Sequence, residues 1–191
     1  MEEMHKESTV NISALLDSTT AQYDINLELR DKQRDALVHI LEYSAHKHFK
    51  SDTIISLPTG YGKSLIFHLL TLCLHTLHDK KGITLVFTPL TIIQEDQLKK
   101  LKEKGIKACQ ISQQFVVKGD ECASIVDIAR GKYHLIICHP ESLFTHPKGQ
   151  DLLSREDFQE NVQAVFVDEC HTVELWWVML TQQLHVAVQI V

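Results

Sequence analysis

What most constrains this chain is a set of short apolar runs that do not alternate. "TIISL" (53–57), "ITLVFT" (83–88), "LIICH" (135–139) and "AVFVDE" (164–169) place aliphatic and aromatic residues side by side. A strand with one wet face alternates apolar and polar side chains; a strand covered on both faces need not. Helical patterns lie between these runs. "LRDKQRDALVHILEYS" (29–44) spaces Leu29, Ala36, Leu37, Ile40 and Leu41 for one helix face. "KSLIFHLLTLCLHTLH" (63–78) is apolar nearly all round, as in a helix buried inside a domain. "TIIQEDQLKKLKEK" (91–104) reads as a helix ended by Gly105, and "ECASIVDIARGKY" (121–133) as one stopped at Gly131, with "KACQI" (107–111) a short strand between them. Strands alternating with helices predict an α/β fold with a mostly parallel sheet and helices on both faces. The first ~20 residues are polar and carry no clear period.

At 191 residues the chain suits one domain with a sizeable core. No run reaches the ~18 apolar residues of a spanning helix. The start, "MEEMHKE", is acidic and lacks an apolar segment, so the expected setting is intracellular: the nucleus in a eukaryote, otherwise the cytoplasm. Five cysteines without a C-x-x-C pair point away from a disulfide framework or structural zinc. His46 and His48, like the His75/His78 pair, read as solvated helix-face residues rather than metal ligands. A net charge of −6 means that a nucleic-acid partner must meet a local basic patch. Lys99, Lys100, Lys102, Lys104 and Lys107 form one candidate, although lysines in the last turns of a helix also suit its dipole.

"LPTGYGKS" (57–64) follows a predicted strand and opens a predicted helix, the context of a phosphate loop. Gly60 and Gly62 allow backbone conformations closed to other residues, so that successive amides can face an anion. The helix start adds its positive end. Lys63 supplies a charge for the β- and γ-phosphates, and Ser64 a hydroxyl for Mg²⁺. A second carboxylate site comes from "AVFVDECH" (164–171), where Asp168 and Glu169 emerge at the carboxyl end of a strand. Asp168 then suits the Mg²⁺ shell, and Glu169 the orientation and deprotonation of an attacking water.

These segments resemble the motifs of superfamily 2 helicases, and in particular the RecQ-like DNA helicases. "LPTGYGKS" is similar to their first motif, A-x-x-G-x-G-K-[ST], which does not ask for glycine at position 57, and "DECH" to D-E-x-H. "LRDKQRDAL" resembles the adenine-reading segment through Arg30 and Gln33. "TPLTIIQEDQ" resembles the S-P-L…D-Q segment through Pro89, Leu90, Asp96 and Gln97, and "HPESL" the P-E-R-L segment through Pro140, Glu141 and Leu143. The resemblance runs over about residues 23–176 and implies a RecA-like phosphate-loop domain. It implies an ATP-driven motor moving 3′ to 5′ on single-stranded or forked DNA, with ATP and Mg²⁺ as cofactors. ATP would be held by Arg30, Gln33, Leu57, Pro58, Thr59, Gly60, Tyr61, Gly62, Lys63 and Ser64. In that picture Gln33 reads the adenine edge, Arg30 packs near the base and His171 couples nucleotide to DNA. Pro89, Leu90, Gln94, Gln97, Pro140 and Glu141 would lie along the DNA backbone; Pro89 and Pro140 also simply end strands.

Two departures stand out. Cys170 occupies a motif position where relatives carry Ala, which packing tolerates. After "VELW" (173–176) the family's aromatic-rich loop, W-G-x-D-F-R-P, is not matched. No S-A-T motif follows before Val191, and the second RecA-like domain with its arginine finger is not in the sequence. The chain therefore reads as truncated after D-E-x-H. Residues 1–22 are expected to form a polar segment, 23–176 the ATP-binding domain, and 177–191 a divergent tail whose "HVAVQIV" is an exposed, β-prone stretch.

Overall fold

The computed structural model describes residues 11–24, 26–45, 52–58, 60–77, 82–88, 98–119, 124–168 and 188–190. Their helices are α1 (Ile12–Tyr23), α2 (Asp31–Ala45), α3 (Lys63–Leu77), α4 (Ile125–Ala129), α5 (Pro140–Phe144), α6 (Pro147–Ser154) and α7 (Glu156–Asn161), and residues 98–103 are also helical. Their strands are β1 (Thr53–Ile54), β2 (Ile83–Phe87), β3 (Ala108–Ile111), β4 (Val117–Lys118), β5 (Leu135–Cys138), β6 (Val162–Val167) and β7 (Val188–Ile190). Among the described residues these form one seven-stranded sheet in the order β1-β7-β6-β2-β5-β3-β4. Every pairing is parallel except β3 with β4.

The unbroken apolar runs have a direct cause. Side chains alternate across a strand, and in β2, β5 and β6 both sides are covered; the first run differs, since Ile54 of the edge strand β1 is exposed. Leu85 and Phe87 of β2, Ile136 of β5 and Val165 of β6 join one buried cluster with Ile128, Leu143, Leu152 and Phe158 from α4–α7. Val86, Ile137, Ala164 and Phe166, their sequence neighbours, join a second cluster with Leu16, Leu37, Leu41 and Leu70 from α1–α3. The sheet thus separates two cores.

One row of Cα partners crosses the whole sheet: Ile54, Ile190, Val167, Phe87, Cys138, Ile111 and Val117. The chain leaves β1, β2, β3, β5 and β6 from this row. Loops after those strands, including 55–62 and the one beginning at Asp168, therefore share one edge of the sheet.

One expectation is corrected. "HVAVQIV" is not wholly an exposed tail: Val188–Ile190 pair with β6 on one side and β1 on the other. A β-prone segment satisfies both rows of its backbone hydrogen-bonding groups in such a slot. In the polar start, whose structure the sequence leaves open, α1 runs over Ile12–Tyr23 and the Asn11 side chain accepts the Ala14 N–H (3.1 Å) at its N-cap. Thr19 and Thr20 are buried in it, and the Thr20 hydroxyl donates to the Leu16 carbonyl (2.7 Å), which is how polar residues sit on a core face without period.

Candidate functional site

The loop after β1 enters α3 through a tight turn. Tyr61 N–H donates to the Pro58 carbonyl (3.1 Å), and Gly60 and Gly62 take φ of 77° and 88°. A side chain at Gly62 would be strained by that φ, and its Cβ would meet Gln33 Nε2 at 2.7 Å. Leu57 packs against the α1–α3 core, so an aliphatic residue rather than glycine has a use there. Pro58 and Gly60 are exposed. Lys63 and Ser64, both half-buried, begin the 15-residue α3, whose first-turn N–H groups and dipole favour an anion.

Asp168 follows β6 directly and is half-buried. Its N–H donates to the Phe87 carbonyl (2.9 Å), which fixes its backbone to the end of β2. Its strand is two places from β1 across β7, roughly 10 Å at ordinary strand spacing. The Asp168 carboxylate and the Ser64 hydroxyl are hard oxygen donors of the kind Mg²⁺ takes, so the residues present fit that ion.

Arg30 and Gln33 come from the start of α2. The Arg30 carbonyl accepts Gln33 N–H (2.9 Å) and Arg34 N–H (3.0 Å), so Arg30 opens the helix. Gln33 Oε1 accepts the Arg30 N–H (3.0 Å), the returning half of a capping box. Gln33 Nε2 donates to the Tyr61 carbonyl (2.8 Å) and the Gly62 carbonyl (3.3 Å). The exposed Arg30 lays its guanidinium 4.7 Å from the centre of the Tyr61 ring. The structure therefore brings together Arg30, Gln33, Tyr61 and Gly62.

The DNA candidates divide differently. Pro140 is buried at the first position of α5, where its ring suits a helix start, so its side chain is not a surface for DNA: a correction to the expectation. Glu141 is half-buried, and its carbonyl accepts the Thr145 N–H (3.1 Å) and hydroxyl (2.8 Å). Thr59, Pro89, Leu90, Gln94, Asp96, Gln97, Glu169, Cys170, His171 and Trp176 lie outside the described residues. So do His46, His48 and His78.

Sequence reasoning missed several contacts away from the phosphate loop. His75 is not a solvated helix-face residue: it is half-buried and stacks on His134, ring centres 3.6 Å apart. His68 of α3 is buried and shares a hydrogen bond (3.1 Å) between its Nδ1 and the Tyr23 hydroxyl. Burial, with Lys100 second, lowers its pKa to about 4. Lys104 leaves the lysine group to bond Asp24 (3.0 Å) and sit 4.9 Å from the Tyr23 ring centre. The signal was thin, since a lone His among Leu residues marks nothing until its neighbours are known.

A glycine turn between a strand and a helix, facing a carboxylate across one sheet edge, defines a phosphate-loop α/β domain. This chain belongs to the DEAD/DEAH box helicase family, whose family model matches residues 30–189. Within it the chain is RecQ-like. It is 28% identical over 127 residues to "ATP-dependent DNA helicase RecQ" of Synechocystis, covering 66% of this chain and 24% of that protein. It is 30% identical over 129 residues to the mouse "Bifunctional 3'-5' exonuclease/ATP-dependent helicase WRN", covering 66% of this chain and 8% of that one. The fold is similar to that of the "DUF1998 helicase MrfA bound to DNA and AMPPNP", with a TM-score of 0.63 at 18% identity, over 92% of this chain and 25% of that one. The chain thus spans about a quarter or less of the length of these proteins.

Proposed function

We propose that this chain is the first motor domain of an ATP-dependent 3′–5′ DNA helicase of RecQ type. The observation that carries the reading is the phosphate loop at the start of α3 with Asp168 on the same sheet edge, in a chain of the helicase family. The α3 N-terminus and Lys63 bind the triphosphate. Ser64 and Asp168 hold Mg²⁺, which supplies charge neutralisation of the phosphates when bound. Glu169 orients the attacking water, and His171 links the site to DNA. Names such as "ATP-dependent DNA helicase RecQ" among the relatives support both ATP and DNA as partners.

DNA-stimulated ATP hydrolysis by a longer product that contains this domain tests the proposal. Lys63→Ala is expected to lower that rate roughly a hundredfold or more, as loss of a charge-stabilising group does. Hydrolysis that ignores DNA, or survives the substitution, sinks it.

The share of the relatives' length covered favours a second reading for the chain taken alone: a nucleotide- or DNA-binding module that does not unwind. Calorimetry with a non-hydrolysable ATP analogue is expected to show binding, and an unwinding assay with ATP no strand separation. Unwinding by these 191 residues refutes that reading.

A further inference from the structure

We propose that Tyr61 is a positioning residue for Arg30: its ring holds the guanidinium beside the phosphate loop, with the N–H donors left for a bound nucleotide. This deepens the nucleotide-site reading above and rests on it. Position 61 is one of the free positions of A-x-x-G-x-G-K-[ST], so the phosphate turn asks for no aromatic side chain there. Gly60 and Gly62 supply the turn, and Tyr61 joins it through its backbone alone. Its N–H donates to the Pro58 carbonyl (3.1 Å), and its carbonyl accepts from Gln33 Nε2 (2.8 Å). The ring is therefore available for another use. It faces the Arg30 guanidinium, whose Cζ lies 4.7 Å from the ring centre.

What an arginine touches decides what it can still do. Arg34, one turn further along α2, gives its N–H groups to Asp17 (2.6 Å) and Ser13 (2.8 Å), so its charge is already paired within the protein. Arg30 forms no ion pair among the described residues. An aromatic face attracts the cation through its π-electrons and takes none of the in-plane N–H donors. Arg30 is exposed, and an exposed arginine otherwise samples many rotamers. A ring that holds it lowers the entropy that nucleotide binding must remove. Both ends of the contact also grow from fixed backbone. The Arg30 N–H donates to Gln33 Oε1 (3.0 Å), and its carbonyl accepts the first N–H groups of α2. The guanidinium is thus held at the loop with its charge and its donors unused.

Calorimetry with Mg²⁺ and a non-hydrolysable ATP analogue tests this. Tyr61→Leu is expected to weaken binding about threefold, the size of one exposed cation–π contact. Tyr61→Phe, which keeps the ring face, is expected to bind like the parent. In an Arg30→Met background the leucine substitution is expected to cost nothing further, which a role in shaping the loop would not produce. Proton NMR of the intact chain gives a reading that needs no variant to fold. The Arg30 δ-methylene is expected to be shifted upfield by the Tyr61 ring, both with and without the analogue. Unchanged or tighter binding in Tyr61→Leu overturns the proposal. So does the same loss in the Arg30→Met background, or an upfield shift that vanishes when the analogue binds. Failure of the intact chain to bind the analogue overturns the nucleotide-site reading itself, a result reached before any substitution is made.

Discussion

The two faces of the sheet are covered by different means. On one side lie α1, α2 and α3, of 12, 15 and 15 residues, long enough to present a full apolar stripe. That side also encloses polar groups: Gln33, His68, Thr19 and Thr20 are buried there. On the other lie α4, α5, α6 and α7, of 5, 5, 8 and 6 residues. Helices so short have little stability of their own and depend on caps and close packing. Ser124 and Asp127 form a full capping box on α4, and α5 meets α6 through Gly149. The long-helix side tolerates polar side chains and carries the phosphate loop; the short-helix side is held by tight backbone contacts and serves as support.

If that contrast is right, a small change on the supporting side has a large effect. A Cβ at Gly149 would collide with the Ser142 carbonyl and come within 2.6 Å of Leu143 Cα. Gly149→Ala is therefore expected to destabilise by about 3 kcal/mol, because backbone must move. Urea unfolding checks it, and a cost below about 1 kcal/mol breaks the comparison.

The long-helix side predicts a pH effect of nearly the same size. His68 has its folded pKa lowered from 6.5 to about 4, chiefly by burial. Between those values the unfolded chain binds more protons, so stability rises with pH. The contribution is complete above about pH 6.5 and is lost as pH falls toward 4, by up to about 3 kcal/mol. Unfolding midpoints across that window should flatten in His68→Leu. A residual slope is expected from His134, lowered to about 4 by burial and then by His75 and Lys107, and reduced by its partial exposure. A variant as steep as the parent removes His68 from the account.

The smallest effect sharpens the contrast between caps. Ser124→Ala removes the side chain that accepts the Asp127 N–H (3.1 Å), and Asn11→Ala the one that accepts the Ala14 N–H (3.1 Å). Each is expected to cost about 1 kcal/mol. Hydrogen exchange should show α4 opening as a whole in the first variant and α1 only fraying in the second. Equal protection across both helices would mean that the short ones do not depend on their caps.

Much of the architecture was legible in the residues. β2, β5 and β6 stand where continuous apolar runs put them, β3 where a short strand was expected, and α2 and α3 where the helical spacing ran. Gly-Lys-Ser does stand at a strand-to-helix turn, and Asp168 at a strand end on the same edge of the sheet. The short helices after β5 were not legible, because five to eight residues give too few turns for a period to emerge. α1 was obscured by two buried threonines, of which Thr20 bonds its own helix through its hydroxyl. Pro140 pointed to a strand end, and it is that, but it also begins a helix whose burial takes its ring out of reach.

The sequence alone determined the strands with two buried faces, the phosphate-loop turn and the family, because these depend on local spacing and on residue types with few substitutes. Tertiary structure decided what depends on distant partners. β7 became an inner strand because β1 and β6 left a slot with unpaired backbone on both sides, which no local propensity of "HVAVQIV" can announce. Gln33 met Tyr61 and Gly62, 28 and 29 positions away, because the first turn of α2 packs on the phosphate loop. An amide side chain has many possible partners, and only the fold brings the Tyr61 carbonyl to 2.8 Å from this one.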